Sequence, residues 1–233
     1  MPESVSETLS VPGLVDDRTC CGIHVAQQDS TPMIVFVGQV AREMRGRDAF
    51  QEVDYRDLYG GIAKWVAEID DAARVPEMVS RAFHVALSGR PGPVVLALPE
   101  DMLRDEVDAA DRPPVPPLAE GPDPGAVQAL FELLKEAASP VAIVGGADWS
   151  PRAAHHFANF AFRYGLPVAA AFRRQDSIAN SCQVYAGQLG YGPSPALQQR
   201  IREADLILAE QFLDPFEESV GLETLNRWAG CGD

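Results

Sequence analysis

Runs of consecutive apolar residues constrain the fold of this chain more than any other feature. The runs are 33-MIVFV-37, 93-PVVLALP-99, 141-VAIVG-145, 166-LPVAAA-171 and 205-DLILAE-210. A strand that is apolar along its whole length is buried on both faces, as in a parallel sheet that helices cover on both sides. The sequence therefore predicts an α/β fold.

Segments with helical periodicity lie between these runs. In the first half of the chain, Pro76 marks the start of a helix and Gly89 follows its end. The apolar face of this helix is formed by Val79, Phe83, Ala86 and Leu87. A helix followed by the buried strand 93–99 is the rhythm of a βαβ unit.

The second half of the chain repeats this rhythm. Helices are predicted around 127–134, from Ser150-Pro151 to Gly165, and over 196–204. The residues from 172 to Pro195 are predicted to form a loop region. Two α/β units therefore follow each other along the chain.

A segment rich in proline and acidic residues, 103–124, separates the two halves. Because neighbouring prolines favour extended backbone, this segment is expected to be a semi-rigid linker. We expect two tandem three-layer α/β/α domains with mostly parallel sheets, over 1–102 and 125–233. Both domains are expected to be incomplete.

Charge excludes several classes of partner. The net charge is −15, from 34 acidic and 19 basic residues. This balance repels nucleic acids and anionic membranes. No apolar run approaches the roughly 20 residues that a membrane-spanning helix needs. We expect no nucleic-acid and no membrane partner.

Cysteine and histidine spacing gives no metal site. The cysteines are Cys20, Cys21, Cys182 and Cys231. They form no C-x-x-C pair and have no histidine at metal-ligand spacing, so they are expected to be free thiols in a reducing cytoplasm. The adjacent His155-His156 cannot chelate one ion well from a helix, because neighbouring helical positions do not face each other. Structural or surface roles are expected for all four histidines.

Two groups of residues are candidates for a ligand site on pattern alone. Gly145-Gly146 follows a strand, where open α/β sheets bind ligands, but the stretch lacks G-x-G-x-x-G. A tight turn is the simpler interpretation. Glu52 and Asp54 lie among aromatic residues and are either part of a pocket wall or surface carboxylates.

Longer motifs resemble a known family. The run 28–65 contains Q-D-S-x-P-M-I, then G-Q-V, then A-F-Q-E-x-D, as in thiamine-diphosphate-dependent enzymes of the acetolactate synthase type. The stretch 89-GRPGPVVLALPEDM-102 resembles the end of that family's pyrimidine-binding domain. Three further stretches, 140–150, 165–176 and 185–195, resemble the family's central domain. Several long motifs in the family's order, over about 22–209, make the resemblance specific.

The resemblance implies cofactors, substrates and site residues. Members hold thiamine diphosphate and Mg²⁺, act on small 2-oxo acids by carboligation or decarboxylation, and form oligomers. Some members also hold FAD in the central domain, although 172-FRRQD-176 differs from their sequence. By matching position, Gln39, Phe50 and Gln51 are implied to line the channel to the cofactor at a subunit interface, and Gln28 is a further candidate. The alternative is structural, with Gln51 and the following glutamate capping a loop. No residue is assigned a catalytic or metal-binding role.

Parts of the family pattern are not matched. The 233 residues contain neither the region of the glutamate that activates the cofactor nor the G-D-G…N motif of the pyrophosphate-binding domain. The stretch 11-VPGLVDDRT-19 is a degenerate form of the family's G-P-G-x-x-N turn, and 210-EQFLDPFEESVG-221 departs from the family's pattern. We expect a truncated or split enzyme that is inactive alone.

The expected partners follow from this interpretation. The chain is expected to form homo-oligomers or to pair with a complementing chain, because a domain that lacks strands exposes a sheet edge and an apolar face. The alternative function is a non-catalytic assembly module, or a nucleotide- or FAD-binding module, derived from the same family.

Overall fold

The structure is a computed structural model, and it describes residues 6–10, 17–113, 115, 123–146, 149–210 and 228–230. The chain divides into two compact units, Met1–Ala119 and Glu120–Asp233. The degenerate turn at 11–19, the departure at 210–221, the linker and Cys231 lie wholly or in part outside the described residues.

The first unit is a parallel sheet with helices. Its elements are β1 (Ser6–Ser10), α1 (Asp17–Gln28), β2 (Met33–Gln39), α2 (Tyr55–Tyr59), β3 (Trp65–Glu68), α3 (Val75–Leu87) and β4 (Pro93–Pro99). The strand order is β1-β2-β4-β3, and the strands of each neighbouring pair are parallel. Short 3₁₀ helices follow β2, β3 and β4, at Arg42–Met44, Ala72–Arg74 and Met102–Arg104.

Both faces of this sheet are buried. Along β2, Ile34 packs into the cluster that contains α3, whereas Val35 packs into the cluster that contains α1 and α2. Neighbouring strand residues point to opposite faces, so a strand covered on both sides must be apolar throughout. The prediction of a parallel α/β sheet from continuous apolar runs is confirmed.

Helix α3 has the predicted bounds and the predicted apolar face. Pro76 lies in its first turn, where a missing N–H costs nothing, and the helix ends at Leu87, two residues before Gly89. Ala82 and Ala86 are fully buried against the sheet, and Val79 and Phe83 pack beside them.

The second unit has the same architecture. Its elements are α4 (Pro124–Glu136), β5 (Pro140–Val144), α5 (Pro151–Tyr164), β6 (Val168–Ala170), β7 (Tyr185–Gln188), α6 (Pro195–Arg202), β8 (Leu206–Glu210) and β9 (Trp228–Gly230). The strand order is β7-β6-β5-β8-β9, again with parallel neighbours. The prediction of a loop over 172–195 is wrong at 185–188, because β7 is a short edge strand with only half-buried residues and therefore lacks an apolar run.

Helix starts in this unit follow the predicted chemistry. Ser150 caps α5 by accepting a hydrogen bond from the N–H of Ala153 at 3.1 Å, with Pro151 in the first turn. Ala142 and Val144 of β5 face one core cluster, and Val141 and Ile143 face the other. None of the helices in the described part of the chain is both long and apolar enough to span a bilayer.

Candidate functional site

The carboxyl ends of β2, β3 and β4 meet at one edge of the first unit's sheet, which we call the first-unit edge. Gln39, the last residue of β2, pairs in register with Pro99 of β4, and Glu68, the last residue of β3, pairs with Ala97. Ligands of parallel α/β sheets bind beyond the carboxyl ends of strands. Three of the four predicted site residues, Gln39, Phe50 and Gln51, belong to this edge or to the segment that leaves it.

Gln39 is buried, with 4% of its surface exposed. Its side-chain Nε2 donates a hydrogen bond to the carbonyl of Val53 at 2.8 Å, and its Oε1 accepts one from the N–H of Val40 at 2.9 Å. Its backbone carbonyl accepts a further bond from the N–H of Glu100 at 3.0 Å. The amide of Gln39 thus joins the end of β2 to the segment that precedes α2.

Glu52 holds a loop closed. Its carboxylate accepts hydrogen bonds from the backbone N–H groups of Gly46 and of Ala49, the latter at 3.1 Å. These backbone donors, chiefly that of Gly46, hold the pKa of Glu52 below its ordinary value. The loop-capping alternative is therefore correct for Glu52.

Phe50 and Gln51 project from this loop. The ring of Phe50 is 88% exposed, the largest exposure among the described large apolar side chains. Gln51 is also exposed, and its φ of 68° lies in the left-handed region that non-glycine residues seldom adopt. An exposed aromatic ring beside an exposed amide can contact both the apolar and the polar parts of a ligand.

Below the loop lies a cavity of about 270 Å³. Gln39, Glu52, Asp54 and Tyr55 are among the residues that line it. Asp54 also caps α2, because its Oδ1 accepts hydrogen bonds from the two N–H groups that follow, at 2.9 and 3.2 Å. Glu52 and Asp54 therefore stand in a pocket wall and cap backbone at the same time.

An ion pair is also part of the lining of this cavity. Nη1 of Arg45 lies 2.8 Å from Oε1 of Glu68, and Nη2 lies 3.9 Å from the carboxylate of Asp70. The contact with Glu68 is an ion pair without hydrogen-bond geometry. Burial raises the pKa of Glu68, and the charge of Arg45 opposes this change.

A second basic residue links the start of the same segment to the residues that follow β4. Arg42 donates from its backbone N–H and from Nε to the carboxylate of Asp101, at 2.9 and 2.7 Å, and its Nη2 pairs with Asp105 at 2.9 Å. The bonds from Arg42 hold the pKa of Asp101 below its ordinary value. Sequence patterns did not predict Arg42, Arg45 and Glu68; the only signal was their place just after, or at, the end of a parallel strand.

Gln28 lies at the opposite edge of the sheet. It is the last residue of α1 and precedes β2, and Nε2 of its exposed side chain is 3.5 Å from Nε2 of His24. Its carbonyl accepts a hydrogen bond from Arg90, which lies three residues before the start of β4. The structure does not bring Gln28 together with Gln39, Phe50 and Gln51.

In the second unit, Gly145-Gly146 follows β5 at the carboxyl end of the sheet. The carbonyl of Gly145 accepts a hydrogen bond from the indole N–H of Trp149 at 2.8 Å, and Gly146 has a φ of 69°. These contacts agree with the turn interpretation of the two glycines.

An aromatic pair also stands at this edge of the second sheet. Phe172 follows β6, and its ring contacts that of Tyr191 edge to face, with 5.6 Å between centroids. Gln175 donates to Gln188, the last residue of β7, at 3.1 Å. Gly190 lies against Phe172 so closely that a Cβ would come within 2.4 Å of the ring.

Ligands for a metal ion are not grouped in the described part of the chain, where no three His, Cys, Asp or Glu residues are placed to hold one. His155 and His156 are exposed on α5, with 6.4 Å between ring centroids. Cys20, Cys21 and Cys182 are free thiols.

Comparison with known proteins shows what the chain is similar to. Residues 127–209 match the family model described as thiamine pyrophosphate enzyme, central domain. Over 194 residues, the chain is 34% identical to the acetolactate synthase large subunit of Parasynechococcus marenigrum (strain WH8102), which covers 81% of this chain and 31% of that protein. Most of the chain is therefore similar to thiamine-diphosphate-dependent enzymes of the acetolactate synthase type, and 127–209 match the central domain of these enzymes.

Two further relatives show the same similarity. The acetolactate synthase large subunit of Lactococcus lactis subsp. lactis (strain IL1403) is 33% identical over 203 residues, 85% of this chain and 35% of that protein. The mitochondrial acetolactate synthase of Schizosaccharomyces pombe is 31% identical over 201 residues, 79% of this chain and 29% of that protein. The chain spans about a third of the length of these relatives.

The first-unit edge fits one part of a cofactor site. Phe50 and Gln51 offer these two groups. An exposed ring beside an exposed amide fits the wall of a channel.

Proposed function

We propose that this chain supplies one wall of the active site of a thiamine-diphosphate-dependent enzyme that joins or decarboxylates small 2-oxo acids. The observation that carries the proposal is the exposed pair Phe50 and Gln51, held at the carboxyl edge of a parallel sheet within the A-F-Q-E-x-D motif. Similarity to acetolactate synthase large subunits supports the substrate class.

In this proposal the first unit is a pyrimidine-binding-type domain and the second a central domain. The ring of Phe50 excludes water and packs on the apolar part of a bound molecule, while the amide of Gln51 hydrogen-bonds a carboxylate or carbonyl oxygen. Thiamine diphosphate, when bound, supplies the electron sink for decarboxylation of a 2-oxo acid. Gln28 takes no part, because it lies at the opposite edge.

The chain is proposed to act with a second chain that carries the groups for Mg²⁺ and the diphosphate, or as an oligomer, and to be inactive alone. The free thiols Cys20, Cys21 and Cys182 fit the proposed cytoplasmic location.

The proposal is tested by reconstitution. The purified chain is mixed with thiamine diphosphate, Mg²⁺ and pyruvate, and pyruvate loss is followed with and without a chain that carries the pyrophosphate-binding domain of a relative. We expect no turnover alone and turnover in the mixture. Turnover by the chain alone would refute the division of roles, and a mixture in which the two chains bind each other but show no turnover would refute the proposal as a whole.

A matched pair of variants tests the role of Phe50. Burying a phenylalanine ring is worth about 1.5–3 kcal/mol, which corresponds to about tenfold to hundredfold in kcat/KM. Phe50→Ala should therefore lower kcat/KM of the mixture by at least tenfold without weakening assembly. Phe162→Ala, which truncates another exposed ring (61% exposed) on α5, is the control and should leave kcat/KM unchanged. Equal effects of the two variants would refute the role of Phe50.

A nucleotide- or FAD-binding role of the second unit is the alternative. The edge-to-face pair of Phe172 and Tyr191, at the carboxyl end of that sheet, favours it, because aromatic side chains contact planar rings well. The purified chain would then show a flavin absorption band or bind FAD in an equilibrium titration. A colourless chain that does not bind FAD excludes the flavin.

A further inference from the structure

The loop that presents Phe50 has an unusual backbone. Gly46, Asp48 and Gln51 have φ values of 73°, 58° and 68°. Aspartate and glutamine rarely adopt the left-handed region, and such residues persist only where their surroundings fix them. The cause of this conformation must therefore lie in contacts within the loop and between the loop and the rest of the first unit.

One contact fixes the loop from within. Both oxygens of the Glu52 carboxylate are engaged, one by the N–H of Gly46 and the other by the N–H of Ala49. A carboxylate accepts hydrogen bonds from N–H groups more strongly than a neutral acceptor does. This bridge spans residues 46 to 52 and leaves Phe50 and Gln51 at the tip.

A second contact fixes the loop to the sheet. The amide of Gln39 donates to the carbonyl of Val53 and accepts from the N–H of Val40, so both of its polar atoms are bonded to backbone. The hydroxyl of Tyr55 donates to the carbonyl of Gly38 at 2.9 Å and adds a parallel link. Since Gln39 lies at the end of a buried strand, its amide is a rigid anchor.

We propose that Glu52 and Gln39 are positioning residues that hold 46–53 in the one conformation that presents Phe50 and Gln51. The part of this inference that gives the loop a purpose, the presentation of Phe50 and Gln51 to a ligand, rests on the proposed function. A role of Glu52 as a proton acceptor is disfavoured, because both oxygens accept N–H groups and these donors lower the pKa of the carboxyl. Any contact of Gln39 with the cofactor stays a prediction.

The test compares Glu52→Gln with Glu43→Gln, which removes an exposed charge from the same segment without touching the bridge. This substitution replaces one carboxylate oxygen of Glu52 by an NH₂ group, which is a donor and faces a backbone N–H that is also a donor. The first readout is hydrogen exchange of peptides over 43–54, and the second is the ¹⁹F resonance of 4-fluorophenylalanine placed at position 50. A urea titration of each variant measures global stability.

Glu52→Gln should speed exchange of the loop amides by about tenfold or more and should shift or broaden the ¹⁹F resonance, with the urea midpoint unchanged. Glu43→Gln should change neither readout. Unchanged exchange in Glu52→Gln, or faster exchange throughout the first unit with a lower midpoint, would overturn the proposal. Because neither readout needs cofactor or turnover, an inactive reconstituted mixture would count against the proposed function alone.

Discussion

Replacement of Gln39 by methionine tests the anchor at the end of β2. Methionine has a similar length, but it can neither donate to the carbonyl of Val53 nor accept well from the N–H of Val40, at 2.8 and 2.9 Å in the native chain. Each such bond contributes about 0.5–1.5 kcal/mol net. Since Val40 and Val53 are half-buried, water partly replaces the lost partners. The free energy of unfolding should fall by about 1–3 kcal/mol.

The assay is urea unfolding followed by far-UV circular dichroism, with Gln28→Met as the matched control. Gln28 is exposed on α1, so the same substitution there should change stability by less than about 0.5 kcal/mol. Gln39→Met should also speed hydrogen exchange of the amides at 46–53, whereas Gln28→Met should leave exchange there unchanged. If Gln39→Met leaves both stability and exchange unchanged while cofactor affinity in the reconstituted mixture falls, then Gln39 contacts the cofactor and does not anchor the loop.

Two further predictions concern other parts of the chain. Gly190→Ala should lower the free energy of unfolding by at least about 2 kcal/mol, because φ is 115° and the new methyl group would lie 2.4 Å from the ring of Phe172. The control is Gly192→Ala, at φ 72° in open space, which should lower the free energy of unfolding clearly less. Both are measured by thermal unfolding, and equal losses of stability would refute the role of the ring. Asp101→Asn removes a carboxyl whose folded pKa Arg42 lowers. The stabilisation that this carboxyl gives is present above its unfolded pKa of about 3.9 and is lost as pH falls through the lower folded value. The variant should therefore show a shallower loss of stability below about pH 4, and unchanged acid dependence would contradict the contact.

The fold was predictable wherever local sequence and tertiary burial agree. Central strands such as β2 and β5 are apolar along their length because helices cover both faces, and this alone identifies a parallel sheet. Edge strands give no such signal. β7 contains two residues of small size and is only half buried, so its four residues resemble a loop in sequence although they pair with β6.

The candidate site was predictable only through the resemblance to a family. Phe50 and Gln51 form no periodic pattern, and they stand on a loop in which the carboxylate of Glu52 accepts hydrogen bonds and to which the amide of Gln39 donates one. Contacts of this kind join residues that are distant in sequence, or join side chain to backbone, and composition and spacing do not encode them. Arg42 shows the same limit, since its partner Asp101 is 59 positions away.

The structure divides the A-F-Q-E-x-D motif into two kinds of residue. The carboxylates of Glu52 and Asp54 accept hydrogen bonds from backbone N–H groups of the loop and of α2, respectively. Phe50 and Gln51 are exposed. A ligand that contacts Phe50 and Gln51 meets a ring and an amide, whereas Glu52 accepts hydrogen bonds within the loop and Asp54 caps α2. Substitutions at 50 and 51 should change ligand affinity and turnover. Substitutions at 52 and 54 should first change the order of the loop. Hydrogen exchange therefore separates the two classes of substitution before any activity is measured.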